Sequence, residues 1–419
     1  MDEIKEVIIT SLVSKRRVMK KKYIVLLIIL LLSCGNYICD KYKTPDINYS
    51  EEILKNSYML SSDYSIYDNY SAYILSNNND NSYSLKYIDI ENNLCSYLCS
   101  NANCLHDNKE CASYIEAFNG CTYLLNTYKN IILFHRGNSI NIPPSIEIME
   151  TNGQNRKKLT EFKMSQNINA PFIWSDNYLY FVLESTEREN DKITTQYYLA
   201  KVSLNDGNYS FIYKNSNPIF LIGIKNNQLI LKEIIDNTHF VHFITPSGDI
   251  NERYFSYDRD DGQIFEYKED LFFINYNNSS LEKITDFNKS ELIMSVPFDG
   301  SATRTFIRHM TNNYIIVDNS TKTLNNDWTI TKYFIDISNN NVISNESYLP
   351  NADKPISLPI YAITDNYLIF ILGFNTSEEL EFAKDGTSYY SQKRDPIFAK
   401  ISIEDFLNNK SDYYIITNT

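Results

Sequence analysis

Glycine and histidine are scarce in this 419-residue chain, at 11 and 5 residues, and Lys and Arg are outnumbered 39 to 52 by Asp and Glu. No Gly-x-Ser-x-Gly stretch occurs, which excludes the hydrolase elbow that lifts a serine onto a tight strand-to-helix turn. The glycines never gather into a phosphate-cradling loop, and no His-Glu-x-x-His zinc-protease helix is present. There is no Cys-x-x-Cys pair, so the usual low-pKa redox dithiol is missing. The net charge of −13 becomes −17 without residues 1–33, which repels nucleic acid at long range. No nucleic-acid partner is expected. The longest apolar run, Tyr23–Leu32, is ten residues. At ~1.5 Å per residue that is about 15 Å of helix, half the ~30 Å of a bilayer core.

What is present begins at that run. Lys20-Lys21-Lys22 precede it and Leu31-Leu32-Ser33-Cys34 close it, the arrangement of a secretory signal with a basic start, an apolar middle and a small residue before the cut. The closing tetrapeptide resembles a bacterial lipobox, with Leu32 bulkier than is usual there. The resemblance implies cleavage before Cys34 and a diacylglycerol thioether on its sulfur. Two acyl chains anchor a protein stably where one would not. The expected location is the outer face of the cytoplasmic membrane, at a Gram-positive cell surface. Residues 1–33 read as signal peptide, with 1–18 an upstream extension before Met19. Residues 34–57 read as a tether.

From residue 58 onward the chain repeats itself. An Asp/Asn turn leads into an apolar strand at Asn69, Asn130, Asn177, Asn227, Asp270, Asn313 and Asn366, at intervals of 43 to 61 residues. A second strand in each unit ends in a Gly or Asn turn: Ile146–Met149, Tyr198–Leu204, Leu292–Phe298 before Asp299-Gly300, and Phe334–Ile337. Asn-Gly and Asp-Gly favour the tight turns of antiparallel neighbours. Units of ~40–50 residues made only of strand are the signature of propeller blades. The inner strands are apolar on both faces, as stacked sheets require. The predicted fold is all-β, a propeller of about seven four-stranded blades over 58–419, with six or eight as neighbouring counts and a pair of β-sandwiches as the competing fold. A helical turn or two is expected in Ile401–Asn408.

Of seven cysteines, Cys34 is the expected lipidation site and Cys39 lies in the tether. The other five, Cys95, Cys99, Cys104, Cys111 and Cys121, fall close together with His106 among them, where the first repeat interval swells to its longest. They mark an insertion, 95–121, between the first two blades. An extracytoplasmic loop poor in apolar residues is a natural place for disulfides, although five thiols leave one over. Cys99-x4-Cys104-x-His106-x4-Cys111 also supplies three sulfurs and an imidazole, a set suited to structural zinc. Disulfide, zinc and free thiols all remain open from sequence. The run Leu98-Cys99-Ser100-Asn101-Ala102-Asn103-Cys104-Leu105-His106, with Cys111-Ala112, resembles a motif of uncharacterised clostridial surface lipoproteins. Those carry a similar signal and tandem Tyr/Asn strand repeats. Cys95 and Cys121 are additions to that pattern, and the proline often found in its first cysteine loop is missing. The resemblance implies fold and location and brings no activity.

Other features read as structure. His239 and His242, three apart on a strand, point to opposite faces. Asp258-Arg259-Asp260-Asp261-Gly262 has the look of a calcium loop but lacks a distant glutamate in register, so an acidic turn is expected. Trp174 and Trp328 are expected in the core or at blade edges, and no carboxylate pair of a glycosidase stands out. The function these readings favour is a membrane-anchored binding or scaffold lipoprotein. It would present a propeller face to a glycan, a peptide or an envelope protein. The alternatives are a carbohydrate-active propeller enzyme, hydrolase or lyase, and an accessory subunit of an envelope or transport complex.

Overall fold

The computed structural model describes residues 55–56, 64–68, 71–77, 82–101, 103–106, 108, 110–116, 122–127, 129–137, 142–189, 192–298, 304–322, 328–345, 360–382, 387–408, 410 and 412–418. The signal, Cys34, Cys39 and Cys121 lie outside them.

Seven antiparallel sheets follow one another along the chain, each a meander of four consecutive strands. Blade 1 is Tyr64–Asp68, Ser71–Asn77, Tyr83–Asp89 and Leu94–Tyr97. Blade 2 is Thr122–Asn126, Asn130–His135, Ser145–Glu150 and Lys157–Glu161. Blade 3 is Gln166–Trp174, Tyr178–Glu189, Lys192–Ser203 and Tyr209–Asn215. Blade 4 is Ile219–Lys225, Gln228–Ile235, Thr238–Ile244 and Ile250–Asp258. Blade 5 is Gly262–Tyr267, Asp270–Asn275, Ser280–Asp286 and Lys289–Ser295. Blade 6 is Arg304–Met310, Ile315–Lys322, Trp328–Asp336 and Asn341–Asn345. Blade 7 is Ile360–Ile363, Tyr367–Phe382, Ser388–Ser402 and Tyr414–Ile415. The protein is a seven-bladed β-propeller.

The core is seven seams, one between each pair of neighbouring blades. Strand alternation explains why the inner strands are apolar on both sides. Ile315, Val317, Tyr333 and Ile335 of blade 6 face blade 5, while Ile316 and Phe334 face blade 7. The seam between blades 2 and 3 is the most aromatic. Phe172 stacks on Phe134 with ring centroids 3.7 Å apart and meets Tyr123 and Phe181 edge-on. Phe172→Ala removes a fully buried ring and is expected to cost ~3–5 kcal/mol, read as a lowered urea midpoint with an unchanged m-value. Trp174 lies buried in this same seam.

Turns follow the expected chemistry in part. Asn226 and Asn227 carry φ of 49° and 57°, the left-handed pair of a type I′ hairpin. Lys268 and Glu269 adopt the same conformation without Asn or Gly. There the buried Glu266 carboxylate accepts the Glu269 amide at 2.6 Å. In blade 5 the expected third strand, Leu292–Phe298, is instead the region of the fourth. The third is Ser280–Asp286, and Asn288, at φ 49°, makes the turn that a glycine was expected to make. The helix near the C-terminus is Ile403–Leu407, capped by the Ser402 hydroxyl accepting from the Asp405 amide.

In a meander ring, every turn between strands 2 and 3 and every link to the next blade falls on one face. Two of those turns sit on long hairpins, 178–203 in blade 3 and 367–402 in blade 7. Their outer parts expose Ile193, Phe374, Leu380 and Tyr390. Lys55–Asn56, expected in the tether, pairs antiparallel with Ile173 and Trp174. That is the end of an inner strand, on the opposite face. The ring closes between blades 7 and 1. Thr417–Asn418 pairs in parallel with Leu94–Cys95, Ile416 is buried in the seam, and the Tyr361 hydroxyl donates to the Leu75 carbonyl at 2.6 Å.

Candidate metal centre

The cysteine segment is built on a broken strand. Leu94–Tyr97 pairs with residues 86–89 of blade 1, and Tyr114–Ile115 pairs with Ser84 and Tyr83 of that same strand. Between them, Leu85 serves both limbs. Its carbonyl accepts the Leu98 amide at 3.0 Å, and its amide donates to the Ser113 carbonyl at 2.7 Å. The outer strand of blade 1 therefore leaves the sheet and returns opposite one residue, and residues 99–112 form a closed excursion.

Two short turns deliver two of the sulfurs. Asn101 accepts the Asn103 amide on its side chain at 3.2 Å and the Cys104 amide on its carbonyl at 3.1 Å. Asn108 does the same for Glu110 and Cys111, at 3.0 Å each. Side-chain capture of an amide two residues on is the Asx turn. His106 sits between the turns at φ 61°, a left-handed region in which His, like Asn and Asp, is enriched among non-glycine residues. Its ring stacks on Tyr97 at 4.3 Å, and the Lys86 ammonium lies 4.9 Å from the Tyr97 centroid. The stack fixes the direction in which the imidazole presents its nitrogens.

The ligand atoms of Cys99, Cys104, His106 and Cys111 all lie within 4.8 Å of one another. A tetrahedral zinc, with Zn–S and Zn–N bonds of ~2.3 and ~2.0 Å, separates its ligands by about 3.5–3.8 Å, a small contraction from here. His106 Nδ1 is 3.3 Å from the Cys111 sulfur, which meets the Ser113 hydroxyl at 3.0 Å. Burial opposes a thiolate at Cys111, but the Ser113 hydroxyl and amide, His106 and Cys104 outweigh it and bring it down to about 6. The His106 amide favours a thiolate at Cys104, yet burial and the neighbouring sulfurs of Cys111 and Cys99 push that thiol up. Cys99, Cys104 and Cys111 are free thiols in this arrangement, and the Cys3His set has the composition and spacing to hold a metal ion. Cys95 stands apart. It is buried in the seam with blade 7, and burial pushes its thiol up to about 11.

No family model matches this chain. No curated protein matches it either. It is similar to solved structures of propeller proteins. With oligogalacturonate lyase from Vibrio parahaemolyticus it shares 8% identity at a TM-score of 0.48, over 82% of this chain and 91% of that one. With dipeptidyl peptidase 4 from Porphyromonas gingivalis the figures are 10% and 0.39, over 81% of this chain and 57% of the peptidase. With the WD40 domain of SCAP from fission yeast they are 10% and 0.39, over 87% and 86%. At such distances a likeness carries nothing about chemistry.

Blade 2 holds the returning limb of the excursion. Arg156 Nη1 donates to the carbonyls of Ala112 at 3.1 Å and Tyr114 at 2.5 Å, while Nε and Nη2 donate to Glu147 at 2.9 and 2.7 Å. His135 Nε2 is 3.2 Å from the same carboxylate. Burial pushes the Glu147 carboxyl up, but His135 and Arg156 hold it at about 2. A depressed carboxylate stabilises fully above its unfolded value, near 4.5, and that stabilisation is lost as pH falls toward 2. Glu147→Gln is expected to cost ~1.5–3 kcal/mol at pH 7, the range for charged hydrogen bonds. The gap from the parent should close below pH 4 in urea titrations.

Of the other residues singled out from sequence, Asp258–Gly262 spans a single 3-10 turn, Arg259–Asp261, between two strands, with Asp261 accepting from Asn277 at 2.7 Å. His239 and His242 do face opposite ways. His242 Nε2 meets the Glu233 carboxylate at 3.1 Å, and that carboxylate also accepts from Asn215 and Asn217 at 2.8 Å each. A sequence signal for the metal centre went unused. Asn-x-x-Cys occurs four times, at 36–39, 92–95, 101–104 and 108–111, and the last two copies, seven residues apart, are the Asx turns that end in Cys104 and Cys111.

Proposed function

We propose that this protein is a lipid-anchored extracytoplasmic propeller of binding or scaffold type. Its hairpin face meets a glycan, peptide or envelope protein, and a zinc ion on Cys99, Cys104, His106 and Cys111 staples the split edge of blade 1. The observation that supports this most directly is the opposition of the two faces. Lys55–Asn56, the described residues nearest the Cys34 anchor, pair at one end of the ring, while the long hairpins of blades 3 and 7 rise from the other. The hairpin face exposes Phe374, Leu380 and Tyr390. Aromatic side chains exposed together on a rigid hairpin are how binding surfaces are commonly built.

Capture from cell-wall and envelope extracts by the exported chain tests the reading. Capture that Phe374→Ser with Tyr390→Ser abolishes supports it. No capture, or capture indifferent to both hairpins, counts against it. Native mass spectrometry of the same sample tests the metal: an excess of one zinc that disappears on denaturation, with thiols intact, is the expected result, and a mass lighter by the hydrogens of a disulfide is the contrary one.

A further inference from the structure

One polar row belongs to neither the metal centre nor the hairpins. Phe220, Lys232, His239 and Tyr257 lie on one face of blade 4, one on each strand and on two adjacent rungs, because Lys232 pairs with Val241 and His239 with Ile234. Phe220 is paired in register with Lys232, and His239 with Tyr257. All four point toward blade 5, just under the hairpin face, where the apolar floor of Val241, Phe255, Ile264 and Phe273 ends. His239 is 6% exposed, and neither of its ring nitrogens has a hydrogen-bond partner. Its ring meets that of Tyr257 edge-on at 4.9 Å. The Tyr257 hydroxyl is enclosed beside the Ile264 amide.

Burying a donor and an acceptor without partners is costly, and here it happens beside two cations. Lys232 and Arg259 both act on His239, with Asp260 opposing them. Among the described residues no ion pair engages either cation. Lys232 lies over the Phe220 ring at 5.2 Å, and burial together with Arg259 draws its ammonium down to about 8. Burial and the two cations bring His239 down to about 4, so at neutral pH its imidazole is uncharged and offers one N–H. The two cations are the groups here that an anion would meet, with Asp258, Asp260 and Asp261 adjoining Arg259 in the chain. Phe220, 36% exposed, adds an aromatic platform at the lip, the usual floor under a sugar ring or an apolar side chain.

We propose that Lys232, His239, Tyr257 and Arg259 form an anion subsite at the mouth of the seam between blades 4 and 5, and that it takes the carboxylate of an acidic sugar whose ring rests on Phe220. The subsite rests on the binding reading above and gives it a ligand class.

The test uses the full chain labelled with 15N-histidine, titrated with glucuronate, glucose, inorganic phosphate and a short acidic peptide. Glucuronate is expected to move the His239 ring signals saturably, with glucose at least tenfold weaker. Lys232→Met keeps the aliphatic stem, and Arg259→Met changes an exposed position, so at least one variant retains the parent melting temperature. Each is expected to weaken glucuronate at least tenfold. Silent His239 signals, or full glucuronate affinity in a folded variant, overturn the subsite. A preference for phosphate or the peptide overturns the sugar assignment. Envelope capture by the parent chain together with silent His239 signals sinks the subsite and leaves the binding reading standing; silent signals with no capture by the parent chain sink both.

Discussion

With the proposed zinc on Cys99, Cys104, His106 and Cys111, chelation is expected to unfold the excursion while leaving the ring intact. Hydrogen exchange at the Leu85 and Leu98 amides should accelerate by two orders of magnitude or more. Those amides are the two at which the sheet passes from one limb of the outer strand to the other, so they protect only while both limbs stay docked. A ligand that binds only the folded form stabilises by RT ln(1 + [L]/Kd), about 4 kcal/mol at a thousandfold excess over Kd. Structural zinc sites reach well beyond that in small domains. Here the gain is capped at the stability of the excursion itself, because the seven seams hold without it. Cys104→Ser should reproduce the effect of the chelator. Cys95→Ser should not, since Cys95 lies in the blade 7–1 seam. Exchange at Leu85 that ignores both chelator and Cys104→Ser would remove the staple from the account.

The second large effect is expected at Lys332. Its ammonium lies 2.8 Å from Asp318, its register partner on the neighbouring strand of blade 6, and both side chains are under a tenth exposed. Lys332→Met keeps the volume and leaves a buried carboxylate alone. The expected cost is ~3–5 kcal/mol. Asp318→Leu with Lys332→Met removes both charges, and buried pairs replaced by apolar residues of similar volume are often neutral or better. The double variant is thus expected to recover most of the loss in urea denaturation, a non-additivity of several kcal/mol. A double variant as unstable as Lys332→Met would mean that packing, not charge, holds this position.

The blades were legible because one local rule repeats. Asn and Asp favour turns, and the strands they introduce carry apolar residues on both faces, so Asn227, Asn313 and Asn366 could each be placed in a hairpin, the first left-handed and the other two closed by the Thr311 and Thr364 hydroxyls accepting the Tyr314 and Tyr367 amides. The rule fails where another residue makes the turn. Lys268-Glu269 is held left-handed through Glu266, and Asn288 stands where a glycine was expected, which moved one strand of blade 5 by a position. At the cysteine segment, ligand identity was legible from residue type, and so was the insertion from the stretched interval. The split of the outer strand was not. It depends on Leu85 bonding to two limbs distant in sequence, and nothing periodic announces that. Cys95 shows the opposite error: near Cys99 in sequence, it belongs to a different seam because its strand lies beneath the clasp of Thr417–Asn418. His239 was read as packing, and its surroundings depend on a link between blades that no short window contains.

The excursion at Leu85 has a bearing on how such a ring acquires and loses parts. Its two limbs leave and rejoin the sheet opposite a single residue, so its ends lie a strand's width apart and its turns and ligands are all its own. A segment with those properties is separable cargo. Cutting out 99–112 and joining Leu98 to Ser113 through a two-residue bridge should leave an ordinary blade edge, and the segment spliced with Tyr97 and Ser113 into the outer strand of another blade should bring the Cys3His set with it. Blade 1 then reads as an unmodified repeat that received a graft, and the outer edges of the remaining six are the places where another could be seated.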